Sequence, residues 1–205
     1  EPDFPTPQYI VDAGVAASPT LSALIRRLEH SDVVAYIRFE PPRGAIDGSH
    51  LYQAKGSAYT LEELLGETGA AAAALQGGRY FTIYLAPHNY HRVHSPLAAR
   101  LLRTRYIPGA RFSVSRATAA AIPRLFCRNE RAVCWFETEH GTMAVVFVGA
   151  LNVSSISTFA HGEIASGAPR EWRELEPRAV AQGAEIGRFN MGSTVVVLLG
   201  TNRFE

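Results

Sequence analysis

The chain has 205 residues, 47% of them hydrophobic and 19% charged, enough apolar material for one domain with a buried core. Twenty basic residues stand against 19 acidic ones, a net charge of +1, and they are scattered rather than gathered into a run, so the electrostatic footprint of a nucleic-acid binder is missing. Cys127 and Cys134 form neither a disulfide framework nor a zinc site and read as small apolar residues in or near strands, and no apolar run approaches the roughly 20 residues that span a bilayer.

The start, Glu1-Pro2-Asp3-Phe4-Pro5, lacks a basic region followed by an apolar one, so a soluble or peripheral chain is expected. Residues 1–12, with three prolines, read as an irregular arm. Ser18-Pro19 then starts a helix whose Leu21, Leu24, Ile25 and Leu28 fall on one face. Asp32 to Phe39 has strand-like content that Pro41-Pro42-Arg43-Gly44 interrupts. Leu51 to Gly56 reads as a short strand. Thr60 to Gly66 reads as a short helix, because Thr60 and Glu63 have capping-box spacing and Gly66 supplies a stop. Ala70 to Leu75 adds a helical turn.

Beyond Gly78 the segments are β-rich: Arg79–Leu85, Arg100–Tyr106, Ala132–Glu137, Met143–Val148, Ser155–His161 and Thr194–Leu199. Strands in succession without long intervening helices imply an α+β, mainly β fold, an antiparallel sheet sandwich or open barrel with a few peripheral helices. Ala165 to Gly183, with Pro169, Pro177 and many charges, reads as an exposed excursion before the last strand.

Two stretches carry chemistry. Gly192-Ser193-Thr194 precedes the apolar run Val195 to Leu199, which places a serine hydroxyl at the mouth of a strand, next to a carbonyl with no side chain beside it. The other, Pro87-His88-Asn89-Tyr90-His91-Arg92-Val93-His94-Ser95-Pro96, follows a strand and contains three histidines spaced by three. A metal is not expected there: catalytic zinc wants a further ligand and outer carboxylates, and a segment bounded by two prolines is too short for a helix that presents the imidazoles on one face. In an extended segment His91 and His94 need not point the same way, and His88 reads as an ordinary loop residue.

Tyr90-His91-Arg92-Val93-His94-Ser95-Pro96 resembles the YHRxHxP element of phosphatidylserine decarboxylases. Four further blocks follow in that family's order: Tyr106-Ile107-Pro108-Gly109 with Phe112-Ser113-Val114; Leu125-Phe126-Cys127-Arg128-Asn129-Glu130-Arg131; Val148-Gly149-Ala150-Leu151-Asn152-Val153; and Gly187 to Thr194. The resemblance covers roughly residues 44–199 and divides the chain into a divergent N-terminal arm and helix, 1–43, and a catalytic domain, 44–205.

The resemblance implies a proenzyme that cleaves itself between Gly192 and Ser193, leaving a pyruvoyl cofactor made from Ser193 and needing no metal. It implies His94 as the base for processing and His91 as the group that handles protons in decarboxylation, converting phosphatidylserine to phosphatidylethanolamine with release of CO2. A phospholipid or amino-acid substrate is expected, in the cytoplasm or on the inner face of a membrane, with peripheral membrane contact and a homodimer left open.

The chain departs from the family in two places. The aspartate of the family's Pro-x-Asp-Gly element has no counterpart, since counting back from Gly44 puts Ile37 or Arg38 there, with Asp32, Glu40 and Asp47 the candidates to substitute for it through a local shift. The first 43 residues also lack a helical, aromatic-rich membrane-docking segment. The alternatives are a non-processing member that binds lipid or amino acid, a decarboxylase of a soluble amino acid and, more remotely, a serine hydrolase.

Overall fold

The computed structural model describes residues 38–52, 58–85, 90–151, 155–189 and 193–200. The arm of residues 1–12, the helix begun at Ser18-Pro19, His88 and Gly192 lie outside them. The strands are β1 (Arg38–Ala45), β2 (His50–Tyr52), β3 (Ala58–Thr60), β4 (Arg79–Leu85), β5 (Arg92–His94), β6 (Ala99–Ile107), β7 (Arg131–Thr138), β8 (Gly141–Val148), β9 (Ser155–Thr158), β10 (Gly162–Ala165), β11 (Glu171–Val180), β12 (Glu185–Phe189) and β13 (Ser193–Leu199). Short helices are α1 (Leu61–Leu65), α2 (Ala70–Ala73), α3 (Arg116–Ala121) and α4 (Leu125–Arg128). The mainly β, α+β architecture expected from the sequence is present.

A seven-stranded sheet in the order β1-β4-β13-β8-β7-β6-β11 and a four-stranded one in the order β10-β9-β12-β5 are both open, and β2 pairs with β3, so among the described residues no sheet closes into a barrel. The central strands of the large sheet are buried on both faces. Ala144 to Val148 of β8 and Val195 to Leu198 of β13 are continuous apolar runs for that reason. Arg131 stands opposite Val148 and reaches the carbonyls of α1, so the helices cover this face. Phe147, one residue earlier, points the other way and meets the Phe189 ring of β12 at 5.7 Å, so the small sheet covers that face. Gly187 of β12 allows the close approach: a Cβ there would lie 2.6 Å from the Ser157 carbonyl oxygen and 2.7 Å from the Phe147 ring.

Two expectations need correction, both at the edges of the large sheet. The exposed excursion of Ala165 to Gly183 contains β11, the edge strand of the large sheet, paired with β6 from Glu171↔Tyr106 to Val180↔Ala99. An edge strand tolerates exposed charge and proline, and here Glu176 and Pro177 sit at the irregularity between the paired residues Glu174 and Arg178. At the opposite edge, β1 continues through Pro41-Pro42 by the same means, its register shifting between Phe39 and Arg43. β5 and β12 are further short strands of mixed polarity. Cys134 lies buried in β7, and Cys127, half-buried, lies in α4 just before it.

The capping box of α1 is formed, with Glu63 N–H donating to Thr60 Oγ1 at 3.1 Å and Thr60 N–H to Glu63 Oε2 at 3.0 Å, and Gly66 ends the helix at φ 64°. Arg131 completes it. This side chain, 4% exposed, donates to the carbonyls of Glu63, Leu64, Cys127 and Asn129 at 2.6–2.9 Å, and burial pushes its pKa down to about 10. Short helices have few internal bonds, so this one guanidinium satisfies late carbonyls of both α1 and α4, while Ala110 N–H takes that of Arg128. Arg131→Ala strands those acceptors and is expected to cost about 3 kcal/mol or more, read as a lower urea midpoint at unchanged slope.

His161, in the β9–β10 turn, is 3% exposed in its side chain and lies 2.9 Å from Thr104 Oγ1 through Nδ1. Burial, helped by Arg173 and opposed by Glu171, lowers its pKa. The folded protein therefore binds fewer protons here than the unfolded chain as pH falls through about 6.5. The stabilisation is present above that pH and is lost below it, so the unfolding free energy should fall between about pH 7 and pH 5.5, and His161→Gln should flatten the slope there.

Candidate active site

Ser193 is the first residue of the central strand β13 and is fully buried. It pairs with Leu85, the last residue of β4. Thr194 stands opposite Val148, so it shares the helix-covered face, and alternation turns Ser193 with Val195 and Phe147 toward the small sheet. The Ser193 hydroxyl donates to the carbonyl of Val148.

The histidine segment reaches this place by the same two-ended arrangement. It leaves the large sheet after Leu85, beside Ser193, and enters the small sheet as β5, beside β12, with Phe189 N–H donating to the His91 carbonyl at 3.0 Å. Leu85 thus lies beside Ser193, and His91 beside Phe189, so residues about a hundred positions apart meet at two places.

Within β5 the two histidines separate. Val93 packs on the core and lies opposite buried Gly187, whereas Arg92 lies opposite Arg188, and both arginines are exposed. His94 shares the outward face with Arg92, while His91, opposite Phe189, is on the side of Val93 and of the large sheet. In this extended segment the two do not point the same way.

His94 is held at both nitrogens. Nδ1 is 2.8 Å from the Gly183 carbonyl and Nε2 is 3.0 Å from the Tyr90 hydroxyl. A carbonyl only accepts, so Nδ1 carries the hydrogen and Nε2 presents its lone pair, the tautomer that a general base for a serine requires. The Gly183 turn is fixed against the same segment: Ser95 N–H donates to Ala184 O and Gly183 N–H to Ser95 O, each at 2.8 Å, and Gln182 Nε2 to Pro96 O at 3.1 Å. Arg92 and Glu185, at 2.5 Å, clasp β5 to β12 on the outer face. No hydrogen bond joins His94 to Ser193, since each is bonded elsewhere.

The remaining blocks support this centre from behind. Asn129 and Glu130 are both buried. Asn129 Nδ2 donates to Phe112 O and to Gly149 O at 2.8 Å, and its Oδ1 accepts from Phe112 N–H at 3.0 Å. Glu130 accepts from the Tyr106 hydroxyl at 2.9 Å, the Ser166 hydroxyl at 2.6 Å and Gly167 N–H at 3.2 Å. Burial, with the Glu130 carboxylate next, pushes the Tyr106 phenol up to about 12. Gly149 N–H donates to the Glu130 carbonyl at 2.8 Å, one residue from the Val148 carbonyl that takes the serine hydroxyl. All five blocks therefore form one chain of contacts: Tyr106 and Phe112 to Asn129-Glu130, these to Gly149, Val148 to Ser193, and Phe189 to His91.

Among the nearby carboxylates, Asp47 lies past Ala45, which is aligned through Arg79 with Leu199, at the far end of β13. Six residues of strand, about 20 Å, separate that end from Ser193, so Asp47 does not stand in for the family aspartate. Among the described residues no group of three His, Cys, Asp or Glu side chains is placed to hold a metal. Two participants escaped the sequence. Gly183 acts through its backbone, which has no signature, and Tyr90 meets His94 at a four-residue spacing that signals contact only in a helix.

The family model described as phosphatidylserine decarboxylase matches residues 42–205. Among curated relatives, a phosphatidylserine decarboxylase proenzyme of Methylococcus capsulatus is 50% identical over 161 residues, 77% of this chain and 56% of the relative. Those of Azotobacter vinelandii and Coxiella burnetii are 48% and 49% identical over 167 and 166 residues, covering 78% and 79% of this chain and 58% of each relative. The chain thus spans somewhat more than half the length of these relatives. With a match over residues 42–205, and with the five blocks meeting at a strand-mouth serine, the chain belongs to the phosphatidylserine decarboxylase family.

Proposed function

We propose that this chain is a self-cleaving, pyruvoyl-dependent phosphatidylserine decarboxylase, with the bond between Gly192 and Ser193 as its processing site. The observation that carries the reading is the double contact of Leu85 with Ser193 and of His91 with Phe189, which brings the histidine-bearing stretch and the serine-bearing stretch together at two places. The residues present fit the cofactor. Ser193, its precursor, is shut away from water at a strand mouth, and a histidine of the adjoining segment presents an unprotonated nitrogen.

In processing, the Ser193 hydroxyl attacks the Gly192 carbonyl carbon and passes its proton to His94 Nε2. The carbon–nitrogen bond breaks as the nitrogen of residue 193 takes up a proton, leaving an ester. Removal of the α-proton of residue 193 expels the Gly192 carboxylate, and water then releases ammonia. For this the hydroxyl must leave the Val148 carbonyl and Nε2 must leave Tyr90. The Gly183 carbonyl takes over one task of an orienting carboxylate, fixing the tautomer, but it carries no charge to stabilise the cation that forms.

When present, the pyruvoyl carbonyl supplies an electron sink for the pair left by CO2. His91, on the inner face with Val93, is the proton donor to the carbon that lost CO2. The substrate is phosphatidylserine at the inner face of a membrane, reached by peripheral contact. Among the described residues no helix is long and apolar enough to cross a bilayer.

Ser193→Ala and His94→Ala are both expected to leave the chain uncut on a denaturing gel. His91→Ala should cut normally yet lose CO2 release by about a hundredfold or more. Cutting that survives Ser193→Ala contradicts the reading, and an exchange of the two histidine phenotypes would reverse their roles. Arg38 lies in the row Arg38–Tyr84–Thr194, beside that of Ser193. Arg38→Asp or Ile37→Asp should therefore speed self-cleavage by about tenfold or more by restoring charge behind the base. Equal rates in both variants and the unaltered chain would show that no carboxylate is missing.

A further inference from the structure

The His94 lone pair that processing needs is already occupied. Because Nδ1–H is donated to the Gly183 carbonyl, the 3.0 Å contact at Nε2 is a hydrogen bond donated by Tyr90. The Tyr90 ring also lies 5.7 Å from the imidazole with the planes 15° apart. The imidazole is thereby held at three places: the turn carbonyl, the phenol hydroxyl and the phenol face. Meanwhile the Ser193 hydroxyl, on the inner face, is donated to Val148.

We propose that Tyr90 is a positioning residue that latches His94 away from Ser193 in the uncut chain and so slows self-cleavage. The inference rests on the assignment of His94 as the processing base. Two hydrogen bonds must be exchanged before Ser193 and His94 can meet, and the phenol contributes one of them. The Tyr90 hydroxyl is bonded to His94 and not to Ser193, whose hydroxyl goes to Val148, so Tyr90 acts through the imidazole. Its grip is local, since Arg92 and Glu185 clasp the strand independently. The turn around Gly183 has its own backbone bonds to Ser95. Loss of the hydroxyl therefore frees the ring without releasing β5.

Tyr90→Phe keeps the ring and removes only the hydroxyl. The first-order rate of self-cleavage, followed on denaturing gels after rapid purification, should rise about fivefold, the worth of one neutral hydrogen bond. A second measurement does not depend on cutting. In the Ser193→Ala chain, labelled with 15N, the His94 Nε2 resonance should shift when Tyr90→Phe is added, while the pattern of the Nδ1–H tautomer is kept. An unmoved resonance, or a cleavage rate that is equal or lower in Tyr90→Phe, overturns the latch and leaves the proposed function standing. A chain that stays uncut with and without the hydroxyl overturns both.

Discussion

Everything at the candidate site depends on one ladder. The strand β13 is hydrogen-bonded between β4 and β8, which sets Ser193 beside Leu85 and delivers its hydroxyl to the Val148 carbonyl. A one-residue slip would turn Ser193 to the helix-covered face and expose the Val195–Leu198 run to the wrong layer. The register is secured because both faces of these strands are buried, so the apolar packing of Val195 to Leu198 and Ala144 to Val148 fixes the position of a polar atom at their end. Buried Asn129, Glu130 and Arg131 extend that rigidity outward through fully directed hydrogen bonds.

Against this rigid wall stands His94, the proposed base, mounted on a short strand. β5 has three residues, one exposed ion pair and a turn to hold it, while β13 is a central strand of seven. An exposed pair contributes roughly 0.2–1 kcal/mol, so the small sheet is the part able to move when hydrogen bonds are exchanged. Serine and histidine sit in different layers, each satisfied by another partner, which is an arrangement suited to a reaction that must happen once and only after the fold is complete. The tautomer of His94 is set in advance by Gly183, and what remains is the approach of the two side chains.

The sequence made the centre of this fold legible and its margins illegible. β4, β7, β8 and β13 are dense in Val, Ile and Phe because both faces are buried, and α1 is written in Thr60, Glu63 and Gly66. The edge strand β1 contains proline, and the edge strand β11 proline and exposed charge, since only one side of each meets a neighbour, and those residues read as breaks. The serine at its strand mouth and the histidine segment were visible as residues. The link between them was not, because it is made by backbone pairing at two points, Leu85 with Ser193 and His91 with Phe189, neither of which has a side-chain signature.

The central claim is that Ser193 becomes the new N-terminus of a short fragment and loses its amino group in doing so. Mass spectrometry of the fragment 193–205, before and after treatment with phenylhydrazine, tests it most directly. The account predicts a fragment lighter than the seryl peptide by one ammonia, shifted by one hydrazone, together with a large fragment ending at Gly192. An unbroken chain after long incubation, or a fragment that begins with intact serine and ignores the reagent, would contradict it.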